Sequence, residues 1–159
     1  MPSQWIRGAM CTTALLVCGA SLAQGVAEPA QPAYDAELAK QLAADDRGMR
    51  KYVLVVLKTG PNKVPAGSER DEMFKGHFAN MGRLASEKKL AIAGPLDGVD
   101  GWRGLFIFAV EEIEEARALV ATDPVIIKGE MVAEFHKYYG SAGLMLVNDT
   151  HKKLAKKSN

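Results

Sequence analysis

The stretch Tyr52 to Leu57, Tyr-Val-Leu-Val-Val-Leu, is apolar without a break and rich in β-branched residues. Such a run reads as a strand with both faces covered, because a half-exposed strand alternates apolar and polar positions. Leu105 to Val110 is a second run of the same kind. Between them Phe74, Phe78, Met81 and Ala85 recur at spacings of four, three and four, which puts one apolar stripe of a helix against a core. Two doubly covered strands with an amphipathic helix between them require a layered α+β domain.

The remaining segments complete a pattern. Tyr34 to Ala44 carries Leu38 and Leu42 at helical spacing, a short amphipathic helix within a linker region spanning 24–48. Asp71 is expected to cap the helix that follows the first strand, and Lys88 and Lys89 suit its C-terminal end. Leu90 to Ala93 is a short strand closed by Gly94 and Pro95, and Leu96 to Gly104 is a loop. Glu112 to Ala121 is a second helix with Ile113, Ala116 and Val120 inward. Met131 to Tyr138 is a fourth strand, and Gly140 to Val147 is expected as a fifth short strand or a coil, ending a domain at 49–147. The order β-α-β-β-α-β is the ferredoxin-like split βαβ arrangement. Its two helices cover one face of the sheet, so the opposite apolar face is expected to be buried by a second copy of the chain, as a homodimer.

The first residues carry a different signal. Arg7 precedes an almost unbroken apolar or small run from Ala9 to Leu22, and Ser21-Leu22-Ala23 is a small-x-small cleavage pattern, so 1–23 reads as a secretory signal peptide. The run falls short of the ~20 apolar residues that span a bilayer. The mature protein is therefore expected in the periplasm or outside the cell, beginning near Gln24, with no membrane span. Cys11 and Cys18 both lie in the leader, which leaves no thiol, disulfide or cysteine metal ligand after cleavage; Cys18 after Val17 is a weak lipidation signal. Cleavage takes Arg7 from 20 basic residues and leaves 19 to balance 19 acidic ones, a neutrality that offers nucleic acid no electrostatic footprint. Lys152, Lys153, Lys156 and Lys157 make a basic tail over 148–159, read as a solvated helix end.

His77 and Asp123 are the residues suited to acid–base chemistry. His77 borders the apolar stripe of its helix, and imidazole titrates close enough to neutrality to move protons. Asp123 precedes Pro124, the pattern of an N-cap with proline at the first helical position. The two roles are compatible, since one carboxylate oxygen can accept from the backbone while the other faces an imidazole. In the loop, Arg103 is a candidate for binding an anionic ligand and Trp102 for excluding water. Gly98, Gly101 and Gly104 do not follow phosphate-loop spacing, and Asp97 and Asp100 lack that of a calcium loop. His136 shares a strand face with Glu134 and Tyr138, a dimer-interface or surface position. His151 lies in the basic tail, and three scattered histidines do not make a zinc site.

From Lys51 to about Tyr138 the chain resembles the YciI-like (YCII-related) family of small dimeric α+β-barrel proteins. The likeness is carried by the strand Tyr52 to Leu57, His77, the helix exit Leu90-Ala-Ile-Ala-Gly-Pro95, Gly104, the helix Glu114 to Leu119, and Asp123-Pro124 with Gly129 after it. It implies a site built around a His77–Asp123 dyad, with Gly94, Pro95, Trp102 and Arg103 as ligand-binding candidates. The family's best attested direction is muconolactone-isomerase-like and dehydrochlorinase-like chemistry on small cyclic compounds. Val125 departs from the family pattern, in which an aromatic residue follows the Asp-Pro pair.

Two functions follow as expectations. One is an enzyme of isomerase, lyase or dehydrohalogenase type that needs no cofactor, with His77 moving a proton and Asp123 orienting it. The other is a non-catalytic homodimer that binds a small molecule or serves a structural role.

Overall fold

The structure is a computed structural model and describes residues 32–157. The expected leader at 1–23, the cleavage after Ala23, the lipidation signal at Cys18 and most of the 24–33 tether lie outside these residues. No described helix is long and apolar enough to cross a membrane.

Helix α1, Ala36–Gln41, starts at Asp35, whose side chain accepts from the Leu38 N–H at 2.9 Å. Strand β1, Met49–Thr59, extends the apolar run at both ends. Helix α2, Ser68–Ser86, begins earlier than expected: Gly67 is at its N-cap and Asp71 lies inside the first turn, its N–H bonded to Gly67 O. Asp71 therefore complements the helix dipole instead of capping. Strand β2, Leu90–Pro95, follows. The glycine loop is shorter than expected, because strand β3 starts at Trp102 and runs to Phe108 after a single 3₁₀ turn at Val99–Gly101. Trp102 and Arg103 thus stand on the sheet, where pairing with β1 and β2 holds the backbone.

Helix α3, Ile113–Val120, and the one-turn helix α4, Pro124–Ile127, lead into strand β4, Met131–Ser141. The expected fifth strand or coil is instead the end of β4, a 3₁₀ turn at Ala142–Leu146 and helix α5, Val147–Leu154. The Ser141 hydroxyl accepts from the Gly143 N–H and turns the chain there. Asn148 then donates to the Leu90 carbonyl at 2.8 Å and ties α5 to β2.

The sheet order is β2-β3-β1-β4 with every neighbour antiparallel, the ferredoxin-like arrangement expected from the element order. Val53, Val55 and Leu57 of β1, with Phe106 and Phe108 of β3, pack against Met73 and Leu84 of α2 and Ala116 and Val120 of α3. The alternate residues Leu54, Ile107 and Leu105 occupy the other face with Glu134, His136 and Tyr138. That face carries none of the helical core.

Candidate active site

α2 places His77 against the sheet, 7% exposed. Its Nδ1 lies 2.9 Å from Oδ1 and 2.8 Å from Oδ2 of Asp123, which is 1% exposed. Asp123 also caps α4, with Oδ1 accepting the Val125 N–H at 3.1 Å. A carboxylate only accepts, so Nδ1 carries a proton, and in the neutral imidazole Nε2 keeps its lone pair. Among the described residues Nε2 has no protein partner, and it is not among the buried atoms left unsatisfied, so it is open to the pocket that His77 lines.

The approach of α2 to α4 depends on a residue that the sequence reading passed over. A Cβ at Gly76 would stand 2.9 Å from Cγ of Pro124, closer than real Cβ atoms come to a ring carbon. Gly76 lets the two helices close on each other, and His77 and Asp123 meet beside that contact. A glycine inside a helix costs about 1 kcal/mol relative to alanine, and that anomaly was the available signal.

The pocket has a volume of about 470 Å³. Phe74, Phe78 and Phe106 surround the imidazole, with ring centroids 6.2, 5.4 and 6.1 Å from it. Gly94, Pro95, Leu96 and Met131 complete much of the wall, and Arg103 also lines it. The structure therefore gathers His77, Gly94, Pro95 and Arg103 around one cavity, with Asp123 behind the imidazole. Trp102 is not among the lining residues: it is 44% exposed and pairs in register with Lys58, whose ammonium lies 5.8 Å from the ring centroid. His136 lies on the open sheet face with Nε2 2.9 Å from Glu134 Oε1, away from the pocket.

A second buried carboxylate went unread in the sequence. Glu130 is 2% exposed; its Oε2 accepts the Val64 N–H at 2.7 Å and its Oε1 the Arg70 Nη1 at 2.8 Å. Arg70 also donates to the Val64 carbonyl, and its guanidinium carbon stands 4.9 Å from the centroid of the Phe74 ring. Arg103 Nη1 is 3.7 Å from Glu130 Oε1, an ion pair too long for a hydrogen bond, so Arg103, which lines the cavity, has no side-chain hydrogen-bond acceptor among the described residues. Burial pushes the Glu130 carboxyl up, but the Val64 N–H, the Arg70 hydrogen bond and the charges of Arg70 and Arg103 outweigh it. The group is held below its usual range. A charged residue between Gly129 and an apolar strand was a faint local signal; its partner Val64 is 66 residues away.

Among the described residues no group of three or more His, Cys, Asp or Glu side chains is placed to hold a metal ion. The fold and the site together define a ferredoxin-like α+β protein with a buried histidine–aspartate pair backing an aromatic pocket. A family model, the YCII-related domain, matches residues 51–135, more than half of the chain, and the chain belongs to that family. No curated protein matches the chain. The matched span holds the dyad, Arg70, Arg103 and Glu130, and ends within β4, before α5 begins.

Proposed function

We propose that this YCII-related protein is an enzyme that moves a proton on a small anionic molecule, in reactions of the isomerase, lyase or dehydrohalogenase type. The observation that carries the proposal is the contact of His77 Nδ1 with both oxygens of Asp123 beside a pocket that Arg103 enters. Asp123 fixes the tautomer, so Nε2 acts as base toward a C–H bond next to a carbonyl. The imidazolium that forms is stabilised by the buried carboxylate at its other nitrogen. Returning the proton to a different carbon isomerises the substrate; departure of a neighbouring halide with its bonding pair, as the C–H electrons form a double bond, completes a dehydrohalogenation. Arg103 holds the substrate's negative charge.

Nitrogen-15 NMR of His77 in the wild type and in Asp123→Asn tests the dyad, with deuterium uptake by carboxylate-bearing lactones as the readout of proton abstraction. An Nδ1–H tautomer in the wild type that is lost in the variant, together with uptake that is lost in His77→Gln, supports the assignment. An unchanged tautomer, or uptake indifferent to His77, defeats it.

Two further parts of the proposal rest on the sequence pattern. The leader at 1–23 directs the protein out of the cytoplasm, which an N-terminus at Gln24 in the exported product would establish. Leu54, Leu105 and Ile107 on the helix-free sheet face support a homodimer formed face to face.

A further inference from the structure

A second cavity of about 360 Å³ adjoins the first, and the two share Phe78, Met81 and Ala93. Phe78 and Met81 come from α2 and Ala93 from β2, which pack against each other and bound both spaces. Arg103 and Pro95 stand at one end; at the other, Leu90 and Ala85 face Val147 and His151 of α5. Phe78 to Ser86 spans about 12 Å of helix axis, so the combined groove is long relative to a small ring. Phe78 sits at the junction and is 54% exposed, a large ring that the core does not employ.

Resting on the proton-transfer site proposed above, we infer that the substrate is a carboxylate-bearing amphiphile. Its charged head pairs with Arg103 and its reacting carbon faces His77. Its apolar tail passes Phe78 into the compartment that α5 closes. The charge and the apolar surface are ordered for this: a guanidinium with no side-chain hydrogen-bond acceptor at the head end, and Phe78, Met81 and Leu90 along the tail. α5 lies beyond the family-matched residues 51–135 and is anchored through Asn148, so one wall of the tail compartment is built outside the matched span. α5 thereby becomes a determinant of substrate length.

Gly82 provides the test. It lines the second cavity and not the first, and a Cβ built there meets nothing within 4 Å, so Gly82→Leu adds apolar bulk at the groove wall from a position on α2 that has room for a side chain. The intact chain is titrated with butanoate, hexanoate, octanoate and decanoate below micellar concentrations. NMR signals of His77 and of the Val147 methyls report the two ends. Affinity is expected to rise roughly fourfold per added methylene as the tail becomes buried. All four acids should shift His77, and only the longer ones Val147. Gly82→Leu is expected to leave butanoate binding unchanged and to cut decanoate affinity at least tenfold. A flat series, or a chain-length gain that survives Gly82→Leu, overturns the tail compartment. Failure of every carboxylate to shift His77 overturns the head-group site on which it rests.

Discussion

His77 Nδ1 sits between the two oxygens of Asp123, at 2.9 and 2.8 Å, while one of those oxygens, Oδ1, also accepts the Val125 N–H at 3.1 Å. A single side chain thus starts α4 and sets the imidazole tautomer.

Asp123→Asn separates those roles. Asparagine caps a helix about as well as aspartate, so Tm should move by only a few degrees. Its amide N–H₂ toward Nδ1 drives the imidazole proton to Nε2 and removes the base. Turnover of a proton-transfer substrate should fall by about 10² to 10⁴, the span of a general base's contribution. Activity within threefold of wild type would show that Asp123 serves as a cap alone.

Gly76→Ala addresses the approach of the two helices. Alanine contributes about 1 kcal/mol of helix propensity, and the 2.9 Å contact with Pro124 costs about 1 to 3 kcal/mol. Stability should therefore fall by at most about 2 kcal/mol, while kcat drops roughly tenfold because α4 carries Asp123 away from His77. A variant with unchanged kcat and an unchanged His77 nitrogen-15 spectrum would mean that Gly76 does not set the dyad.

Glu130→Gln removes the charge that joins Arg70, Val64 and Arg103. The expected loss at neutral pH is about 2 kcal/mol, the scale of a hydrogen bond to a charged partner. The folded carboxyl titrates below an unfolded one, near ~4.3. Its stabilising effect is complete above that value and disappears as pH falls through the folded pKa. Urea unfolding of both proteins should show curves well apart at pH 7 whose separation shrinks as pH falls below the unfolded carboxyl's value of ~4.3. A separation that stays constant through the acid range would assign the effect to shape instead of charge.

Ile107→Glu places a carboxylate at the centre of the helix-free sheet face, paired in register with Leu54 and Ile92. Light scattering should find the wild type as a dimer at micromolar concentration and the variant as a monomer with the same circular dichroism. A monomeric wild type would refute the sheet-to-sheet assembly.

The strands at Tyr52 and Leu105, the stripe on α2 and the Asp123 cap were legible in the sequence because each depends on neighbours within about four residues along the chain. The same locality explains the errors. Asp71 resembles a cap, yet the helix had already begun at Ser68. Gly140 and Val147 carry no strong periodicity, so α5 emerges only where Asn148 finds the Leu90 carbonyl of an edge strand.

By itself the sequence determined the β-α-β-β-α-β order of the core, and with it the ferredoxin-like class, along with the residue types available for chemistry. Only the tertiary structure decided which of them meet. His77 reaches Asp123 across 46 residues and Glu130 reaches Val64 across 66, while Trp102, adjacent to Arg103 in the chain, stands outside the pocket. Such pairings follow from how closely α2 can lie against Pro124 and from the β1–β3 register, and both are set by packing and excluded volume instead of local spacing.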